Sequence, residues 1–269
     1  IAALSHAICH SILKHSNNPL GILGLTSIVE IIIFTPLVFL VPAPTPYIWS
    51  LIIASAFLHG FYRLLVVYSY KFGDLSFIYP VARGGSSLLL VFISIIYLSD
   101  KISVMGLSAI LIICFGLFLI SYSKKEKFNR AAFTLACLTA LMIATYTLVD
   151  GIGVRHSSNG YTFLFWMLAL NGIPPLLASL LFRGRGLRNF NKDLLIKGLG
   201  FGILAPFAYG LVVWSMQYIP IAYASAIRET SIIFATLLGF FILREKKAKT
   251  RVLPAICVVI GIGMLYFQL

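Results

Sequence analysis

Apolar runs of bilayer-spanning length recur along this chain, and they limit its possible folds more than any other feature. Ten can be marked, at about residues 1–13, 20–41, 48–70, 75–98, 103–122, 131–153, 161–182, 194–217, 220–243 and 252–268. A helix needs about 20 apolar residues to cross a bilayer, and in hydrocarbon the backbone must satisfy its own hydrogen bonds. The expected fold class is therefore an all-α integral membrane protein with ten transmembrane helices. The first run ends in "LKHSNNP" without a small-residue cleavage pattern, so it is expected to stay as a span rather than be removed as a signal peptide. Composition agrees: 60% of residues are hydrophobic and 11% charged, against roughly 25% charged in soluble domains.

A net charge of +13 in a soluble chain would point to nucleic acid, but here the charge reports topology. Sixteen of the 21 lysines and arginines fall in the loops after runs 1, 3, 5, 7 and 9, including "KKEKFNR" and "REKKAKTR", and only Lys101 and Arg155 fall on the other side. The positive-inside rule places the basic loops in the cytoplasm and both ends outside, as expected for a bacterial inner membrane. The remaining three, Arg63, Arg83 and Arg228, lie within spans. The four cysteines show no paired or metal-like spacing and are read as small apolar filler.

The two halves of the chain repeat each other. "LKHSNN" at 13–18 matches "VRHSSN" at 154–159, and "ARGGSS" at 82–87 matches "IRETSI" at 227–232, with Arg83 on Arg228 and Ser86 on Ser231. The second register, an offset of 145 residues, also pairs "LSDK" with "LREK" and Gly116 with Gly261. Residues 1–123 are thus expected to form one five-helix repeat, 124–130 a basic linker loop, and 131–269 a second repeat. Five crossings is an odd number, so the second copy enters from the opposite side. The repeats are then inverted about a pseudo-two-fold axis in the membrane plane, an arrangement suited to alternating access with a site near mid-depth.

Three features carry a family resemblance. They are the five-plus-five arrangement, the Tyr-Pro-x-x-Arg-Gly stretch from Tyr79 to Gly84, and an acid-Lys pair before the last helix of each half. The pairs are Asp100 with Lys101 and Glu245 with Lys246, followed by the Gly-bearing helices "AILIICFGLFLISY" and "AICVVIGIGMLYF". In these the chain resembles the EamA-type transporters of the drug/metabolite transporter superfamily. The resemblance covers essentially the whole chain. It implies a transporter whose cavity is lined by segments 1, 3, 4, 6, 8 and 9, and it leaves the substrate open among amino acids, nucleotide sugars, organic phosphates, choline and drugs. The small four-helix multidrug relatives rely on a glutamate in their first helix. Segment 1 here carries His6 and His10 and no acid, which argues against a proton-coupled exporter of cationic drugs.

Polar residues inside spans should face protein or water, and each is a candidate for function. Arg83 lies nine residues from Asp74, about 13 Å along a helix, and so near mid-depth. Arg228 is at similar depth. Either these arginines bind ligand or they pair with Glu30, Asp150 or Glu229. His59 and Arg63 share a helix face at i,i+4 beside Tyr62, a surface fit for a carboxylate or phosphate. His6 and His10 have the same spacing, but without a third ligand they are read as packed or proton-handling rather than metal-binding. Glu30, whose repeat counterpart is Asn171, is either a helix-pairing group or a coupling-ion site, and Asp150 is expected to cap a helix or face water. Tyr79, Tyr146, Tyr209 and Trp214 complete the substrate-binding candidates, with packing as the alternative role.

Taken together, these buried charges are balanced to mildly positive, which favours a small organic anion or zwitterion as substrate. A quaternary amine or drug is the alternative within the superfamily, and a polytopic enzyme acting on a lipid-linked substrate is the alternative outside it. No P-loop and no catalytic triad emerges, so no ATPase and no cofactor are expected, and no metal site. The expected partners are the substrate and the lipid bilayer, with a coupling proton or ion as a further one, in a monomer or homodimer.

Overall fold

The computed structural model describes residues 18–69, 72, 75–98, 100–121, 129–181, 187, 191–231, 233–234 and 252–268. Expected segment 1, with His6 and His10, lies outside the described residues, as do the side chain of Tyr79 and the pair Glu245 and Lys246. All regular structure among the described residues is helical. In chain order the elements are α1 (Pro19–Val38), α2 (Pro46–Ser69), α3 (Leu75–Tyr97), α4 (Val104–Ser121), α5 (Arg130–His156), α6 (Gly160–Asn171), α7 (Ile173–Leu181), α8 (Lys192–Ser215), α9 (Ile221–Arg228) and α10 (Val252–Tyr266). Six described helical stretches are long and apolar enough to cross a membrane.

Local chemistry sets the ends of these helices. Asn18 and Asn191 accept hydrogen bonds from Gly21 N–H (3.0 Å) and Leu194 N–H (2.7 Å), satisfying donors in the first turns of α1 and α8. Pro19 follows Asn18 at a position where its missing N–H costs nothing.

Two expected spans are broken. Run 161–182 divides into α6 and α7 at Gly172, where Pro174 and Pro175 cannot donate to the carbonyls one turn back, and hydrogen bonding resumes at Leu176 N–H to Gly172 C=O (3.1 Å). Run 220–243 was expected as one helix, but α9 stops at Arg228. There Glu229 and Thr230 turn back onto the carbonyls of Ala226 and Ile227, each at 3.0 Å, and the Thr230 hydroxyl also donates to Ile227 C=O at 2.7 Å. That hydroxyl competes with the backbone for the carbonyl a continuing helix would use.

The chain forms two compact units, one of Ile1–Val67 with Thr145–Gln217 and one of Tyr68–Ala144 with Tyr218–Leu269. Each draws on both sequence halves, because helices of one half bury their faces against helices of the other.

In the first unit α1 crosses α8 at a Gly-x-x-x-Gly pair. A Cβ on Gly198 would lie 2.5 Å from Leu25 Cβ, and one on Gly202 would lie 2.7 Å from Val29 Cβ, so only glycine permits this approach. The opposite side of α8 exposes Ile196, Leu199, Ile203, Phe207, Leu211 and Trp214 at helical spacing, the stripe a lipid-facing helix presents.

In the second unit α3, α4, α9 and α10 share a core that includes Val91, Ile110, Ile113, Leu117, Tyr223 and Val258. Here the matched glycines have matched roles. A Cβ on Gly116 would lie 2.9 Å from Pro254 C=O and 3.6 Å from Val258, while one on Gly261 would lie 2.7 Å from Ala109 C=O and 2.5 Å from Ile113. Pro254 and Val258 are the counterparts of Ala109 and Ile113 in the 145-residue register.

Candidate functional site

Each unit buries one cluster of ionisable side chains. In the first unit, α2 presents His59 and Arg63 one turn apart on one face, and each meets an acid from a different helix. Arg63 grips Glu30 of α1 in a fork, Nη1 to Oε2 at 2.9 Å and Nη2 to Oε1 at 2.8 Å. Glu30 is fully buried, whereas the Arg63 side chain is 17% exposed. This bidentate geometry satisfies both carboxylate oxygens. His59 Nε2 lies 2.9 Å from Asp150 Oδ2, and Tyr209 of α8 donates its hydroxyl to the same oxygen at 2.6 Å. Asp150, expected to cap a helix or face water, is fully buried, because α5 continues past the expected end of its run to His156.

Aromatic rings enclose this pair. The His59 ring lies 4.0 Å from Tyr146 and 5.0 Å from Tyr209, and Tyr146 lies 5.2 Å from Tyr62 and 5.8 Å from Tyr209, all between ring centroids. Four of the sequence candidates, His59, Tyr62, Tyr146 and Tyr209, thus form one contiguous group around Asp150. Trp214 does not join them. It is 37% exposed and continues the lipid-facing stripe of α8, because it sits five residues from Tyr209, half a turn away on a 3.6-residue helix.

In the second unit Arg83, Arg228 and Glu229 are all buried. Arg83 Nε donates to Glu229 Oε2 at 3.0 Å, while Arg228 Nε lies 3.9 Å from the other oxygen, Oε1, beyond hydrogen-bond reach. Arg228 donates from Nη2 to Ser225 Oγ at 3.3 Å, and its Nε has no hydrogen-bond partner among the described residues. Two guanidiniums therefore face one carboxylate, at the point where α9 breaks. Ser225 escaped the sequence reading, although its i,i+3 spacing from Arg228 places the two on one helix face. Asp100 of the acid-Lys pair lies with its carboxylate 3.4 Å from Ile221 N–H, the first amide of α9.

Asn171, the counterpart of Glu30, is buried beside the α6–α7 break, and neither amide atom has a hydrogen-bond partner among the described residues. No group of three or more metal-ligating side chains occurs among the described residues.

Comparison with known proteins now assigns the chain. The model of the EamA-like transporter family matches residues 130–267, just over half of the chain. The chain belongs to the EamA-like transporter family. This family is part of the drug/metabolite transporter superfamily and is one of transporters rather than enzymes, so the lipid-linked enzyme alternative is set aside. With the six long apolar stretches, membership makes the protein an integral, multi-pass membrane protein. No curated protein matches the chain in sequence. Among solved structures, 27 chains match. One of them, titled "Crystal structure of protein", resembles this EamA-like chain with a TM-score of 0.78 at 12% identity, covering 99% of this chain and 93% of its own. At that identity the likeness is one of fold.

Proposed function

We infer that the protein is a secondary-active transporter of a small polar metabolite bearing a carboxylate or phosphate, either an organic anion or a zwitterion. The observation that carries this reading is the charge of the second unit's cluster, two buried arginines on a single glutamate, with an Arg228 N–H left without a hydrogen-bond partner among the described residues. Buried charge is costly unless it is paired, and a planar guanidinium with unused donors suits an oxyanion. The break after α9 adds the polar C-terminal carbonyls and turn of an interrupted membrane helix, a feature that marks transporter sites.

Movement by alternating access between two inverted five-helix repeats completes the proposal. Its support is the reciprocal crossing of α4 and α10: Gly116 meets the counterparts of the residues that Gly261 meets, with sequence numbers rising along one helix as they fall along the other. Contacts of this kind, in which i touches j and j's counterpart touches i's, are produced by a two-fold axis, and the antiparallel sense sets that axis across the helices. A bacterial cytoplasmic membrane with the basic loops inside is part of the proposal, and the asymmetry of Lys and Arg between alternate loops supports that orientation.

A thermal-shift screen of the purified protein against amino acids, phosphorylated metabolites and quaternary amines tests the substrate class, since a ligand of the native state raises Tm. The expected result is stabilisation by a carboxylate or phosphate compound that disappears in Arg228→Gln. Stabilisation by quaternary amines alone, unaffected by Arg228→Gln, overturns the assignment in favour of a cation carrier.

A further inference from the structure

We propose that the Asp150 and His59 pair of the first unit is the coupling-proton site, with the proton carried on Asp150 Oδ1. The proposal rests on the transporter reading above and adds the ion that drives it. Both polar contacts to Asp150 fall on one oxygen: Oδ2 accepts from the Tyr209 hydroxyl at 2.6 Å and faces His59 Nε2 at 2.9 Å. Oδ1 is buried and has no hydrogen-bond partner among the described residues. For a carboxylate this is a poor arrangement, because a buried charged oxygen without a donor keeps the full cost of its lost hydration. For a carboxylic acid it is less costly, because Oδ2 serves as the carbonyl oxygen accepting from two donors and only a neutral hydroxyl is left without a partner among the described residues.

The same heavy-atom geometry therefore serves both states. A proton taken from water on one side forms an O–H bond at Oδ1, and release to the other side breaks that bond alone. Neither contact at Oδ2 has to change. Tyr209 and His59, donating as the neutral Nε2–H tautomer, act as positioning residues that direct the proton to Oδ1.

The surrounding groups fit this role. From α2 come His59 and, one turn on, Arg63; from α8 comes Tyr209; from α5 itself comes Tyr146; and from α1 comes Glu30, held in the Arg63 fork. Because Glu30 already occupies Arg63, that guanidinium is not available to hold Asp150 ionised. With His59 neutral, these groups carry one net negative charge, and one proton removes it. The other buried acids are poorer candidates, since Glu30 is clamped on both oxygens and Glu229 stands between two arginines.

Infrared difference spectroscopy tests the site with protons as the only ligand. Purified protein in phosphatidylcholine and phosphatidylglycerol vesicles is titrated between about pH 4 and pH 9, a span that takes in carboxyls displaced by burial. The expected result is a protonated-carboxyl C=O band that rises and falls reversibly and is missing from Asp150→Asn. In Tyr209→Phe the band persists at a shifted frequency, because one donor to Oδ2 is gone; this variant keeps the carboxyl and so guards against a misfolded Asp150→Asn. If every titrating carboxyl band survives Asp150→Asn, or Tyr209→Phe leaves the frequency unchanged, Asp150 is not the site. Coupling is read in vesicles holding a pH dye. Addition of a compound that stabilises the protein in the screen changes the lumenal pH with wild type and not with Asp150→Asn, and an equal response from both overturns the coupling role. A titrating Asp150 with no stabilising anion or zwitterion sinks the substrate reading and leaves the proton site standing, and the opposite pattern sinks the proton site alone.

Discussion

The two units bury charge in opposite ways. In the first, two acids meet one permanently charged arginine and a histidine; in the second, two arginines meet one acid. The first cluster is also the more completely hydrogen-bonded: Arg63 and Glu30 use both prongs of their fork, and Asp150 Oδ1 is left without a partner among the described residues. In the second, Glu229 accepts one hydrogen bond and stands 3.9 Å from its other neighbour. On the reading proposed above, the first cluster takes the proton and the second the anion.

If that contrast is correct, removing the shared acid of the second unit has the largest effect. Glu229→Gln removes the carboxylate that both buried guanidiniums face and is expected to destabilise by about 3–5 kcal/mol, the cost of breaking a buried ion pair. Glu30→Gln affects one guanidinium, which is 17% exposed and keeps an amide oxygen as acceptor, so about 1–2 kcal/mol is expected. Thermal unfolding of both variants in detergent compares them. Equal losses, or a larger one for Glu30→Gln, would remove the distinction between the clusters.

Next in size is the packing of each unit at its glycines. Gly202→Val in the first unit and Gly261→Val in the second each put methyl groups where a Cβ already lies 2.7 Å and 2.5 Å from a neighbouring carbon. Each is expected to cost about 1–3 kcal/mol, as overpacking does. Gly116→Val, the counterpart of Gly261→Val, should match it within about 0.5 kcal/mol if α4 and α10 are related by a two-fold. The same unfolding assay reads all three, and a Gly116→Val that behaves like wild type argues against the symmetry.

The sequence disclosed these features unevenly, for physical reasons. Spans were legible because hydrocarbon imposes a strong compositional signal, and the buried ionisable residues stood out for the same reason. Which arginine meets which acid was not legible: Arg83 with Glu229 and Arg63 with Glu30 are separated by 146 and 33 residues, and only packing selects among three acids. The break after Arg228 was missed because "RETS" has no proline or glycine to announce it, and the Thr230 hydroxyl acts through a backbone contact. Pro174 and Pro175 were visible, yet an apolar run of spanning length masked the interruption. Asp150 was misplaced by a few residues of boundary, enough to turn a buried acid into an expected helix cap.

The smallest effects separate two aromatic residues of α8 that the sequence grouped together. Tyr209→Phe removes one hydrogen bond to the buried Asp150 carboxyl and is expected to cost about 1 kcal/mol, the net worth of one hydrogen bond. Trp214→Leu, five residues on, keeps an apolar side chain on the exposed stripe and is expected to shift stability by less than about 0.5 kcal/mol. It should also leave ligand-induced stabilisation at its wild-type value. A Trp214→Leu variant that loses ligand stabilisation would return this residue to the binding site, and with it the assumption that the outer face of α8 meets only lipid.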